Sequence, residues 1–388
     1  KPSSAASDVY KRQEKNIALY LNHHAYKVET EGNRIRAVVA RHIATGREVR
    51  FTGDLFADCT GDGTIGYLAG ADYDMLEKGH MGMSNLWRVA NTGKPAPFPR
   101  CPWAHDLVGK PFPTQLRRLG RWFWESGFFM HPIRDAEKVR DNNFRAMYGA
   151  WDCIKNVLKL YPNHKIVWAA YIAGKRESRR LLGDVVLTKD DILSQREFPD
   201  GCVPSTWPID LHVPEPKLAR YFPGREFISV AKFTRLKAPY PIPYRCFYSR
   251  NVANLFMAGR DISVTHEALG TVRVMATCGM MGEVVGRAAI AEEVRLRGRI
   301  AKHGGGTIEV TARAVSLDDR LRKVLPPELK QLIEAVNLRG KADTTLTVAR
   351  PADPKGPLRC SGTIRLRDAT FTCRYDFQKV SGEIHIDE

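Results

Sequence analysis

Between Ala25 and Phe51 the apolar positions alternate. Tyr26 and Val28, then Ile35, Ala37 and Val39, then Val49 and Phe51 recur at every second residue, the period of strands with one buried face. Glu31-Gly-Asn33 and Thr45-Gly46 interrupt the pattern with turn residues, so residues 25–31, 34–41 and 47–51 read as a three-stranded meander. Residues 17–21 (Ile-Ala-Leu-Tyr-Leu) read as a strand just before it. Two shorter apolar runs differ in kind. Leu55-Phe-Ala-Asp58 passes into the glycine-rich Cys59-Thr-Gly-Asp-Gly63 and then the helix-like Thr64-Ile-Gly-Tyr-Leu-Ala69. Asn254-Leu-Phe-Met-Ala-Gly-Arg-Asp261 is a strand ending in an acid, followed by a loop and a small-residue-rich helix. That helix is expected to begin near Gly270 and to run from Thr271 to Arg297. Its Ala276, Gly279, Gly282, Gly286, Ala288 and Ala289 are expected to allow close packing on a sheet.

Between these runs, residues 135–156 read as a helix with Val139, Phe144, Met147 and Ile154 facing inward. Past His303-Gly-Gly-Gly306, a flexible break, the pattern changes. Residues 317–337 have helical character interrupted by Pro326-Pro327. Residues 343–349, 361–367, 369–373 and 380–386 read as short antiparallel strands with one wet face.

The 388 residues are 43% hydrophobic, enough for a sizeable core in two or three domains. No run approaches the roughly 18 apolar residues of a membrane span. The net charge is +17, but Lys and Arg are spread along the chain without a basic cluster or a nucleic-acid-binding module. An anionic cofactor or substrate and a solvated surface account for it, so no nucleic-acid partner is expected. The eight cysteines include no C-x-x-C pair, which argues against a disulfide framework, a zinc site or a redox dithiol.

The chemistry concentrates at the two short strands. Asp261, at a strand's C-terminal edge beside a helix N-terminus, suits a flavin. Its carboxylate can accept from ribityl hydroxyls, and the free N–H groups at Gly270, Thr271 and Val272 can face the pyrimidine oxygen. His266 lies just past that acid and is a candidate proton acceptor. Arg273, expected on the helix's first turn, is a candidate to hold either an anionic substrate or the charge of a reduced flavin. In Trp207-Pro-Ile-Asp-Leu-His212, Asp210 and His212 share a face if the segment is extended, making His212 a second proton acceptor or a buried, backbone-bonded histidine. Arg176, Arg179 and Arg180, with Glu177 among them, form either a fork for a carboxylate or phosphate or a structural network with Asp184, Asp190 and Asp191. The tryptophans of Arg121-Trp-Phe-Trp-Glu125 and Ala150-Trp-Asp-Cys-Ile-Lys155 are either core or a wall over a ring-shaped ligand.

Several blocks, in order, resemble one family: Ala57-Asp-Cys-Thr-Gly-Asp-Gly63, Met81-Gly-Met-Ser-Asn85, Lys175-Arg-Glu-Ser-Arg-Arg180 with Gly183-Asp184 and Asp190-Asp191, Trp207–His212, Ile242-Pro-Tyr-Arg245, and residues 258–286. They are similar to FAD-dependent oxidoreductases with a domain related to the flavin subunit of heterodisulfide reductase, over about residues 15–297. The resemblance implies an α/β fold, a two-dinucleotide-fold flavoprotein. It also implies FAD contacts from Ala25, Thr60, Gly61, Asp62, Gly259, Arg260 and Asp261. Some relatives carry iron–sulfur clusters, for which this chain offers no cysteine ligand run. The family's opening Gly-x-Gly-x-x-Gly turn is not in this sequence, so the fold is expected to be partial and flavin binding impaired.

The expected layout is a non-native tail over 1–13, flavin-domain parts over 14–76 and 248–298, an inserted α+β substrate domain over 77–247, and a foreign-looking β-rich segment over 299–388. The last resembles a repeat of AsmA-type envelope proteins, which leaves a chimeric, lipid-handling chain as the alternative function. The favoured expectation is an enzyme fragment that passes hydride from a small organic substrate to flavin N5. His266 and Arg273, then His212, are the catalytic candidates, and Arg176, Arg179 and Asp210 the substrate ones. No metal is expected, the electron acceptor is open, and a cytoplasmic setting is slightly favoured.

Overall fold

The computed structural model describes residues 13–290, 294–300, 306–316, 339–350, 359–372 and 376–386. The chain divides into two units, residues 1–282 and 283–388.

In the first unit, β1 (His23–Glu31), β2 (Arg34–His42) and β3 (Glu48–Thr52) form the antiparallel meander in that spatial order. Ile35, Ala37 and Val39 are buried, as their alternation requires. Residues 17–21 form no strand, and Ile17 is 50% exposed. With no ladder partner the segment cannot bury its apolar side chains, and its backbone groups stay hydrated. β4 (Phe56–Asp58) pairs in parallel with β15 (Leu255–Met257), with Met257 opposite Asp58. Asn254 ties this pair to the meander. Its side chain accepts from Ile35 N at 2.8 Å and donates to the carbonyls of Ile35 and Asp54 at 2.9 Å. Two three-residue strands from opposite ends of the unit thus bring their C-terminal edges together, where parallel α/β sheets place ligands. Helix α1 (Thr64–Leu68) follows β4.

The intervening chain is built from small antiparallel pairs. These are β5 (Tyr73–Asp74) with β10 (Arg180–Leu181), β6 (Met83–Ser84) with β8 (Glu125–Ser126), and β7 (Trp87–Asn91) with β9 (His164–Ala169). Further on, β11 (Gly201–Ser205) pairs with β14 (Tyr240–Pro243) and β12 (Ile209–Pro214) with β13 (Ser229–Thr234). Helix α2 (Ala136–Asp152) continues into a π-turn over Cys153–Val157 and buries Val139, Met147 and Ile154. Its inner face meets Trp87, Leu107, Trp124 and Phe227. Trp124 and Trp151 are therefore core residues, whereas Trp122 stays 45% exposed. Two short helices complete the region, α3 (Lys189–Leu193) and α4 (Pro216–Ala219).

The helix expected to start at Gly270 begins four residues earlier and is broken. Thr265 caps α5 (His266–Val272), accepting from Ala268 N at 3.4 Å. A 91° bend then leads to α6 (Met275–Ile290). The break falls where Val272 and Val274 flank Arg273, whose guanidinium is drawn to the Asp210 carbonyl. Gly270, Thr271 and Val272 therefore lie in the last turn of α5, with no free N–H groups of a helix start. Gly270 instead lets α5 abut β12, since a Cβ there would sit 3.0 Å from Asp210 N. The expected close packing along α6 is not found among the described residues, because a Cβ at Gly279, Gly282 or Gly286 would meet nothing within 4 Å.

In the second unit β16 (Val294–Ile300), β17 (Gly306–Ser316), β18 (Arg339–Arg350), β19 (Arg359–Thr372) and β20 (Asp376–Ile386) form one antiparallel sheet in sequential order. Residues 294–297 belong to this sheet and not to a helix, since Val294, Leu296 and Ile300 follow a strand's period of two. The run at 361–367 and the described part of the next, 369–372, belong to one strand, β19. The helical character at 317–337 and the tail at 1–12 fall outside the described residues.

Candidate active site

Asp58 closes β4 and is saturated with donors. Its Oδ1 accepts from Thr60 N (2.9 Å) and Thr60 Oγ1 (2.6 Å), and its Oδ2 from Gly66 N (2.9 Å). Gly61, at φ +69°, supplies the left-handed step that folds this loop back. Asp261, past β15, is fully buried within hydrogen-bonding reach of Asp58, yet no donor reaches either of its oxygens. Burial, then the charge of Asp58, raises its pKa well above the carboxylate range. Two adjoining buried carboxyls do not both ionise. Asp58 holds three donors and Asp261 none, so Asp261 is the member of the pair that burial drives toward its neutral form.

Asp62, on the same loop, gathers cations. It receives Lys175 and Ser178 Oγ (2.7 Å), and Arg260 Nη2 lies 3.4 Å away. Burial works against its charge, but Lys175, Ser178 and Arg260 hold its pKa below the usual value. One terminal nitrogen of Arg260, Nη1, is buried without an acceptor. Arg179 donates from Nη1 to the Asp62 carbonyl (3.1 Å) and lies 4.0 Å over the Tyr67 ring.

Two imidazole–carboxylate pairs stand beyond this loop. Glu177, fully buried, accepts from Arg180 Nη1 (2.6 Å) and Met81 N (3.2 Å). His266 Nδ1 lies 2.9 and 2.8 Å from its two oxygens. Nδ1 therefore carries the proton and Nε2 is left as an acceptor, on a side chain 21% exposed. Burial opposes the charge of Glu177, but His266 and Arg180 lower its pKa nonetheless.

The second pair is closed on both sides. Glu125, buried on β8, receives Arg176 Nε, Ser84 Oγ (3.1 Å) and His212 Nδ1 (3.0 and 2.8 Å). The other ring nitrogen, Nε2, sits 3.2 Å from Asp210 Oδ1. Burial disfavours a charged ring, but Asp210 and Glu125 outweigh it and raise the His212 pKa. An anion beside each nitrogen favours the charged ring. Trp122 packs over it at 4.9 Å between centroids. Arg273 borders both pairs. Its Nη2 donates to the Asp210 carbonyl (3.0 Å) and lies 3.6 Å from Asp210 Oδ2. Burial and Arg176 lower its pKa, while Asp210, Glu125 and Glu177 act in the opposite sense.

The structure brings together Thr60, Gly61, Asp62, Gly259, Arg260 and Asp261 at the strand ends, and His212, Asp210, His266, Arg273 and Arg176 beside them. Ala25 does not join them: it lies on β1 opposite Ala40. Gly270, Thr271 and Val272 are buried packing residues of α5. Arg273 caps the C-terminus of α5 and does not open a helix. The three arginines do not make a fork, because Arg176 turns to Glu125, Arg179 to Asp62, and Arg180 to Glu177 and Asp74. Nor are Asp184, Asp190 and Asp191 their partners: Asp184 accepts from Tyr248, while Asp191 caps α3 and pairs with Arg196. Sequence reasoning gives Glu125, Asp58 and Lys175 no role, and Glu177 none beyond the arginine cluster. Glu125 meets His212 across 87 residues, Glu177 meets His266 across 89 and Lys175 meets Asp62 across 113, so no local spacing announces these three.

A family model described as FAD dependent oxidoreductase matches residues 3–97 and 122–295, well over half of the chain. The chain belongs to this family. No curated protein and no solved structure matches it. The site residues fit the cofactor. Asp261, buried and lacking any donor, and Arg260 Nη1, lacking any acceptor, are polar groups that ribityl and phosphate oxygens can complete. Gly61 lies against the same arginine, since a Cβ there would sit 2.8 Å from Arg260 Nη2. Among the described residues, no group of three or more His, Cys, Asp or Glu side chains is arranged to hold a metal ion.

Proposed function

We propose that this FAD-dependent oxidoreductase oxidises a small organic alcohol or amine, with His266 as the proton acceptor. The observation that carries the reading is the His266–Glu177 pair. Glu177 fixes the Nδ1–H tautomer, orients the ring, and compensates the charge that the ring gains. When bound, FAD supplies the two-electron acceptor, taking the substrate's C–H hydride at N5. His266 Nε2 takes the O–H or N–H proton, so the alcohol leaves as a carbonyl or the amine as an imine, and electrons and protons balance. His212 is the weaker base, because both of its nitrogens are engaged. Within the family, the ordered blocks from Ala57 to Gly286 support the branch resembling the flavin subunit of heterodisulfide reductase.

The test is anaerobic bleaching of the flavin band near about 450 nm in the FAD-supplemented chain, with a panel of alcohols, hydroxy acids and amines. The expected result is a bound flavin that substrate reduces. His266→Gln should retain the band and slow its bleaching by about 10²–10⁴-fold. A wild-type chain that binds no flavin, or a variant that bleaches at the wild-type rate, overturns the proposal.

A further inference from the structure

Arg273 is the one cation of the two-pair cluster that is not matched by a carboxylate of its own. Arg176 is matched by Glu125 and Arg180 by Glu177, both carboxylates being fully buried. Asp74 also touches Arg180, but it is 57% exposed and solvent screens its charge. That leaves Asp210 to serve both the His212 ring at 3.2 Å and Arg273 at 3.6 Å. Three carboxylates, of which Asp210 is 13% exposed, thus face Arg176, Arg180, Arg273 and the His212 ring, whose pKa is raised, a balance that leans positive.

The hydrogen bonds point the same way. The Arg273 side chain is only 10% exposed, and its Nε–H is buried without an acceptor. A buried guanidinium N–H without a partner keeps the full cost of its lost hydration. The neighbouring Nη2 donates to a neutral carbonyl, so the Nε–Nη2 edge has room in its chemistry for a bidentate oxyanion. Trp122 and Trp207, 45% and 47% exposed, mark where this cluster reaches the surface. Trp122 covers His212, and the Trp207 carbonyl accepts from Thr271 Oγ1 on α5.

We propose that Arg273 and His212 form a recognition site for a carboxylate group on the substrate, so that the oxidised alcohol or amine is a hydroxy or amino acid. The inference rests on the reading of His266 as the base, and it divides the labour between the two histidines. The His212 ring, both of its nitrogens engaged, holds Asp210 beside Arg273, which binds the anion, and the His266–Glu177 pair takes the proton. A carboxylate bound at Arg273 satisfies Nε–H and cancels the excess charge, whereas a neutral substrate leaves both uncompensated. Arg273 is then a specificity residue and His212 a positioning one.

The experiment is a calorimetric titration of the full chain, with and without added FAD. The ligands are glycolate, lactate and malate, set against ethane-1,2-diol and propane-1,2-diol, which replace the carboxylate with a neutral group. At least one carboxylate should bind in the millimolar range or tighter, and at least tenfold more tightly than either diol. Arg273→Met should lose that preference. Arg273→Lys, which keeps the charge but lacks the fork, should weaken carboxylate binding about tenfold, with circular dichroism confirming that both variants fold. Equal binding of carboxylates and diols, no carboxylate binding, or undiminished binding by folded Arg273→Met overturns the inference. So does an Arg273→Met protein whose only change is a lower flavin midpoint potential, since the arginine would then serve the reduced cofactor. Failure of the oxidoreductase reading looks different: carboxylates would bind and respond to Arg273→Met, but no flavin would be held or reduced.

Discussion

The two imidazole–carboxylate pairs are built from the same chemical parts and differ in how many acids each ring meets. At His266 one nitrogen faces Glu177 and the other is open, so the ring can accept a proton. At His212 both nitrogens face acids, Glu125 and Asp210, so the ring holds the proton it has. The difference does not lie in the histidines. It comes from Asp210, placed two residues along β12 from His212, where strand geometry puts both side chains on one face. His266 opens a helix, and its nearest acid comes from a distant segment and reaches only Nδ1. A ring with one acid beside it keeps a nitrogen open; a ring with two has both engaged.

Exchanging one acid in each pair tests that contrast most severely. Glu177→Gln should slow flavin reduction at saturating substrate by about 10²-fold or more, with little change in substrate affinity. Glu125→Gln should instead leave the rate of reduction near wild type and, by removing a negative charge from the anion site, tighten carboxylate binding by up to about tenfold, about 1.4 kcal/mol. Equal losses of rate in the two variants, read by single-turnover absorbance, would break the division of labour.

A smaller effect sharpens the same lesson at the strand ends, where one acid is saturated and its neighbour bare. Asp58→Asn places an amide donor against the N–H groups of Thr60 and Gly66 and should cost about 1–3 kcal/mol. Asp261→Asn supplies the donor that the proton now supplies, and it should be neutral or stabilising. Urea midpoints of the two variants check this, and a larger loss for Asp261→Asn would mean that the proton is on Asp58.

The smallest effect is the pH dependence of stability. A raised folded-state pKa at His212 gives stability that is complete below the unfolded value of about 6.5 and lost as pH rises through the folded value. Asp261, also raised, has the same sign, but its loss begins near the unfolded value of about 3.9. Glu177 and Asp62, which are lowered, give stability present above the carboxylate range and lost on acidification. In an Asp261→Asn background, denaturation midpoints should therefore fall between neutral and alkaline pH, and adding His212→Gln should flatten that fall. An unchanged slope would show that His212 is not the charged ring described here.

Much of the fold was legible because its signals are local. Alternation located β1 to β3 within a residue or two, and the inward positions of α2 followed from helical spacing. The same logic fails where context decides. Residues 17–21 are apolar enough for a strand but have no neighbour to pair with. The small residues after Thr271 suggested one long helix, yet Arg273 turns toward Asp210 and the chain bends by 91°. Ordered motifs located the strand-end loops of Asp58 and Asp261 and the Asp210–His212 pairing.

The sequence by itself determined the family, the two short parallel strands that present acids at one edge, and the face shared by Asp210 and His212. Those features depend on periodicity and on neighbours one to four residues apart, which the chain carries in its own order. Only the tertiary structure decided which acid serves which base. Glu125 reaches His212 across 87 residues and Glu177 reaches His266 across 89. It also turned an apparent cluster of arginines into three separate contacts and left Arg273 with an unmatched charge. Such assignments follow from burial and the low dielectric around it, where each charge must find its complement in space, and adjacency along the chain does not specify that complement.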